Sequence, residues 1–263
     1  MSNLKVKIPA ILIITIFLTS YFPNFIIFAQ ANNLSDYQYQ VDQYRSNYAE
    51  FQILKNDYQT NPTLNNEQKA ILAAKQTIAA RELAMAYYAL ILIDKLKSTG
   101  VVYPIVDAAI TDLGVIGQFH FKQSQDVAKV ITKSDLAQFT ATHLTTLASQ
   151  ADKLGHAQVA IKIAELIQIQ NDAKLAYDSI TPGLKTKTSH VNVKNGLDQI
   201  VSYSQQINDQ ISALSQKTTE TGLSEINLNQ YFEGVSLSLN QIRALQSRLI
   251  NIIIELDTVY VDR

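Results

Sequence analysis

The chain has no cysteine and no tryptophan, and only two methionines, five prolines and eight glycines in 263 residues. Without cysteine there is no disulfide framework, no thiolate nucleophile, no cysteine-based metal site and no cysteine for a bacterial lipid anchor. Stability must then come from buried apolar area, which a chain of this length can supply. Charge is scarce too, at 17% of residues against about a quarter in an average globular domain. Asn and Gln take its place, so the polar faces are mostly amides. The net charge is −1 and the pI is near 6.4. Lys122, Lys129 and Lys133 are spread out and interrupted by Asp126, which reads as a solvated face. No nucleic-acid partner is expected.

Catalytic signatures are missing as well. There is no Gly-x-Ser-x-Gly elbow and no phosphate loop, and Gly114-x-x-Gly117 lacks the third glycine and preceding strand of a dinucleotide fingerprint. None of His120, His143, His156 and His190 lies four residues from another, so the helical zinc-protease pattern is absent. Asp152 and His156 are four apart and share a helix face able to co-ligate a cation; a surface ion pair or plain solvation is the expected reading. His120, between Phe119 and Phe121, is expected to be a partly packed histidine. Glu82, beside Arg81 in an apolar helix, is the acid to inspect first, with an exposed helix charge as its expected state. Paired carboxylates brought together from distant positions would leave no local mark. No catalytic residue, metal ligand or cofactor is assigned, and the chain is expected not to be an enzyme.

Long apolar runs are confined to the N-terminus. Lys5 and Lys7 precede "IPAILIITIFLTSYFPNFIIFAQA", in which Ala29 and Ala31 fit a cleavage site. This is the layout of a secretory signal over residues 1–31. An uncleaved anchor is the alternative, although Pro23 and Asn24 interrupt a stretch that should hold about 20 continuous apolar residues to span a bilayer. Either way the remainder is expected outside the cytoplasm: secreted, at the cell surface or in the periplasm. Removal of the segment takes away two lysines and no acid, leaving a net charge of −3. "LAMAYYALILI", bounded by Glu82 and Asp94, and "LINIII" are too short to span.

What remains is helical periodicity. Tyr37, Tyr44, Phe51 and Tyr58 step by seven, and Val41 and Tyr48 widen the row into a stripe. Tyrosine suits a half-buried seam with its ring packed and its hydroxyl wet; a stacking platform for a ligand is the alternative. Ser35 with Gln38 predicts a capping-box start, Asn61-Pro62 a stop, and Thr63 the next start. Leu64, Ile71, Ile78, Met85 and Leu92 predict a second helix over 64–98, broadened by Leu72, Leu83, Leu90 and Ile93 and stopped by Gly100. In the region 101–131, Pro104 fits a first helical turn, and "GVIGQFHF" reads as a kink, a close helix contact or a short loop. Thr132 with Asp135 predicts a capping box before a helix over 134–180, with a bend or tight crossing at Gly155. Thr181-Pro182-Gly183 predicts the clearest break in the chain, and 184–196 a linker.

Two seams with alternating steps of three and four follow, from Val193 to Leu214 and from Leu228 to Val259, joined by a turn at Thr221-Gly222. The fold class is therefore all-α: an elongated bundle of five to six long helices, with residues 33–181 as a helical bundle and 190–262 as an antiparallel coiled-coil-like hairpin. The expected function is an exported, non-catalytic structural or interaction protein that meets a protein partner, or itself, through its helix faces. The alternative is a small-ligand-binding bundle whose pocket would use Tyr37, Tyr44, Tyr48, Tyr87 and Tyr88.

Overall fold

The computed structural model describes residues 31–185, 187–220 and 228–261, and among these residues it is all-helical, with no strand. The described residues form the α-helices α1 (Ala31–Thr60), α2 (Leu64–Ser98), α3 (Pro104–Asp126), α4 (Lys133–Lys185), α5 (Val191–Glu220) and α6 (Leu228–Tyr260), with a 3-10 turn, Val127–Lys129, after α3. The expected leader up to residue 30 and the Thr221-Gly222 turn lie outside the described residues. No described helix is long and apolar enough to cross a membrane.

Local signals explain most helix ends. Gly100 adopts φ +64, the left-handed stop that a β-carbon disfavours. Thr63 Oγ1 accepts the Asn66 amide at 3.3 Å, and Pro104 occupies the first position of α3. At α4, Thr132 Oγ1 accepts the Asp135 amide at 3.1 Å while Asp135 Oδ2 accepts the Thr132 amide at 2.9 Å, a complete capping box. Ser35 is a correction: α1 already begins at Ala31, and Ser35 Oγ donates to the Asn32 carbonyl inside it. Thr181-Pro182-Gly183 is another, because α4 runs through it to Lys185. A proline in the last turn forfeits only one backbone bond, and Thr181 Oγ1 donates to the Tyr177 carbonyl at 2.8 Å. Gly183 is needed for proximity, since a β-carbon there would stand 3.2 Å from Val261 Cγ1. The stretch expected as a linker, 184–196, is consequently helical at both ends.

The chain divides into two compact units, one comprising the described residues up to Ser98 with Thr111–Leu154, the other Thr99–Ile110 with Gly155–Arg263. In the first unit each helix runs antiparallel to the next. Asn33 bonds Asp94 and Asn47 bonds the Gln76 carbonyl between α1 and α2. Gly117 of α3 lies against Ala86 and Ala89 of α2, while Lys75 donates to the carbonyls of Ala128 and Val130 beyond the other end of α3. Lys153 of α4 reaches Asp112 of α3 at 2.6 Å. "GVIGQFHF" is thus an unbroken helical stretch with a close helix contact at Gly117. The inner face of α2 is alanine, with Ala73, Ala74, Ala86 and Ala89 buried, while Leu64 and Leu72, expected on the apolar face, are 71% and 56% exposed.

In the second unit, Gln246 of α6 donates to the Leu166 carbonyl of α4 at 2.6 Å, and further along α4 Gly183 meets Val261, just past the end of α6. These two helices therefore advance in the same direction. Gly196 of α5 packs on Leu256, and Asn192 bonds Tyr260. Val193, Ile200, Ile207, Ile211 and Leu214 of the first expected seam are buried. On α6 the buried set is Tyr231, Val235, Leu239, Ile242, Gln246, Leu249, Ile253 and Leu256, while Val259 is 63% exposed. From Val235 to Leu256 that stripe alternates steps of four and three, with Leu239, Gln246 and Ile253 where the expected seam has Ser238, Leu245 and Ile252, and Val259 falls outside it.

Candidate functional site

Within the first unit, three titratable side chains from three helices meet in the core: Glu82 of α2, His120 of α3 and His143 of α4. Each occupies a row of otherwise apolar positions. Glu82 aligns with Ala86, Ala89, Ile93 and Leu96; His120 with Leu113 and Ile116; His143 with Phe139 and Leu147. The antiparallel packing of α2, α3 and α4 then sets the three at one level. Glu82 and His120 are fully buried, and His143 is 3% exposed.

His120 Nδ1 stands 2.6 Å from Glu82 Oε2, and its N–H donates to the carboxylate. Arg81 Nε and Nη2 both donate to Glu82 Oε1, at 2.9 and 2.6 Å. His143 Nε2 lies 3.2 Å from the same oxygen but without hydrogen-bond alignment. His120 Nε2 and His143 Nδ1 have no hydrogen-bond partner. The His143 ring runs nearly parallel to those of Phe119 at 5.5 Å and Phe139 at 6.4 Å, and Phe119 meets His120 edge-on.

Burial by itself raises the pKa of a carboxyl, but the hydrogen bond from His120 and the positive charge of Arg81 outweigh it and hold Glu82 below its usual range. The carboxylate is ionised. His143 is pushed down to about 4, chiefly by burial, with Arg81 and His120 adding to the effect and Glu82 opposing it. It is a neutral imidazole at physiological pH. The cluster therefore holds one buried carboxylate, matched by one partly exposed guanidinium, and imidazole nitrogens that the hydrogen-bonding network leaves over.

The exposed state expected of Glu82 is corrected by its complete burial, and the partly packed His120 is fully enclosed. Alanine-rich surroundings disguised Glu82, because alanine marks a core row weakly.

The tyrosines are placed differently. Tyr37, Tyr44 and Tyr48 are half-buried on α1. Tyr37 meets Tyr88 of α2 at 5.8 Å between ring centroids, and Tyr44 stacks on Tyr48 at 5.9 Å. Tyr87 turns instead to Phe121 of α3, edge-on at 5.5 Å, so Tyr87 and Tyr88 do not converge on one place. Burial raises the pKa of the Tyr37 and Tyr44 hydroxyls, which leaves both neutral. No known protein family matches the chain, and no curated protein or solved structure shows significant similarity to it.

Proposed function

We propose that this is an exported, non-catalytic helical protein that acts through its helix faces, at the cell surface or in the periplasm, with residues 1–31 as its leader. The observation that carries the reading is α1. Residues 32–60 bury no side chain fully, yet they hold Tyr37, Tyr44, Tyr48, Phe51 and Tyr58 half-buried in a row. Rings packed on one edge and wet on the other are the side chains that interfaces favour, because they add contact area at little conformational cost. The sealed acid–imidazole cluster supports the non-catalytic half of the reading, since Glu82 and His120 expose no surface, and His143 almost none, to a molecule of substrate size.

The C-terminal helices support a second helical surface. α5 and α6 read as an antiparallel hairpin with a coiled-coil-like seam: Gly196 packs on Leu256 toward one end, and Gly234 lies by Lys217 toward the other. A small-ligand reading rests on the aromatic strip made by the Tyr37–Tyr88 and Tyr44–Tyr48 pairs.

The test is a photo-crosslinking amino acid placed at Tyr48 in the native cell, with exposed Leu175 of α4 as the control position. A discrete protein adduct from position 48 and none from position 175 is the expected result. The reading fails if position 48 gives no protein adduct. If it adds only a small-molecule mass, the ligand reading replaces it.

A further inference from the structure

We propose that Glu82, His120 and His143 form a binding site for one divalent first-row transition cation, Zn2+ or a close neighbour, that ties α2, α3 and α4 together. Each residue offers one ligand atom, and these three atoms lie within 4.8 Å of one another. Zinc bonds of about 2.0–2.2 Å in tetrahedral geometry place ligand atoms about 3.3 Å apart. The set is therefore near coordination distance, and the 2.6 Å His120–Glu82 hydrogen bond has to open by under about 1 Å. Two imidazoles and a carboxylate are the donor set of borderline cations and leave a position for water.

The second observation is the surplus of nitrogen. A core network that served only hydrogen bonding would use its buried polar atoms. Here both nitrogens of His143 are buried without a hydrogen-bond partner, although Nε2 stands only 3.2 Å from Glu82 Oε1. Arg81 grips Glu82 Oε1 through two hydrogen bonds and fixes the carboxylate's direction, as an outer-shell partner does. Its positive charge opposes that of the cation, which favours moderate over extreme affinity. The chain has no cysteine, so a metal tie between three helices supplies the kind of cross-link that a disulfide cannot.

The test uses the full chain stripped with chelator and titrated with Zn2+, and separately with Co2+, whose visible absorption reports tetrahedral nitrogen and oxygen ligation. The expected result is one equivalent bound at micromolar affinity or tighter, with a tetrahedral cobalt spectrum. His143→Gln and His120→Gln should each weaken binding at least tenfold, and His156→Gln should leave it unchanged. Circular dichroism selects the variants that fold, and the wild-type stoichiometry and cobalt spectrum decide the matter without them. Absence of binding to the wild-type chain at 1 equivalent and about 100 µM metal overturns the proposal. So does binding that survives loss of His120 and His143 in folded protein, or binding abolished by His156→Gln.

Discussion

In the first unit, the deepest positions of α2, α3 and α4 include small alanines and three titratable side chains. In α5 and α6 of the second unit they are mostly Ile, Leu and Val at steps of three and four, with the uncharged Thr218, Tyr231 and Gln246 among them. The first arrangement draws helices close because alanine and glycine take little room, and it encloses polar chemistry that must be satisfied in full. The second relies on area and shape. A core of branched aliphatics fails gradually as volume is removed, whereas a core holding a buried carboxylate fails abruptly when one partner is lost.

Substitution at Glu82 should break the comparison most sharply. Glu82→Ala leaves Arg81 without its acceptor and His120 Nδ1 without its partner in a sealed site. Loss of one member of a buried charge pair costs about 3–5 kcal/mol. Amide hydrogen exchange should accelerate through 64–98 and 111–143, with α5 and α6 largely protected. Equal acceleration in both regions would mean that the two cores do not respond separately. Ile242→Ala is the counterpart in the second unit. Ile242 is fully buried, so truncation should cost about 2–5 kcal/mol, and Ile242→Val only about 0.5–1.5. That graded pair, read by urea denaturation, is the mark of an aliphatic core, and no such grading is expected at Glu82.

Acid should separate the units next. His143 has its pKa lowered from 6.5 to about 4 in the folded state, so from pH 6.5 down to about 4 the unfolded chain binds a proton that the folded chain does not. Stability is therefore present above about pH 6.5 and falls as pH drops toward 4, by on the order of 3 kcal/mol for this group in metal-free protein. Glu82, whose pKa is lowered from 4.5, adds a further loss as pH falls below that value. In the second unit, burial pushes Tyr231 up from 10.0, a group that responds only in alkali. Exchange protection measured from pH 7 to 4 should fall first in the unit that holds His143. If α5 and α6 lose protection at a higher pH than α2 and α3, the burial argument at His143 is wrong.

The same contrast sets what could be read from the sequence. Helical rows of Ile and Leu were readable because these residues mark a buried face plainly, but on α6 the row turns to Leu239, Gln246 and Ile253 instead of the expected Ser238, Leu245 and Ile252, and Val259 is exposed. The capping box at Thr132 and Asp135 and the stop at Gly100 were readable because their chemistry is local. Pro182 misled because a proline's effect depends on how many helical residues follow it, which the sequence pattern does not reveal. Glu82 stands out for its apolar setting, yet beside Arg81 it reads as a surface charge. Its alignment with Ala86, Ala89, Ile93 and Leu96 was the available signal, and the adjacent Arg81 obscured it. That His120 and His143 meet it depends on the register between three helices, which no local spacing carries.

Glycine gives the smallest and most direct comparison of packing. A β-carbon at Gly114 meets nothing within 4 Å, and at Gly117 only Ala86 O and Ala89 Cβ at 3.8 Å, ordinary contacts. Gly114→Ala should therefore stabilise by about 0.5–1 kcal/mol through helix propensity alone, and Gly117→Ala by less. At Gly196 the added carbon would stand 3.1–3.3 Å from three atoms of Leu256, which is 3% exposed and has little room to yield. The same gain in propensity is then offset by overpacking, which typically costs about 1–3 kcal/mol, so Gly196→Ala should be neutral to destabilising by about 1–2. Thermal melts of the three variants rank these effects. A stabilising Gly196→Ala would show that Leu256 has space to move, and the α5–α6 seam would then be looser than the close packing argued for it.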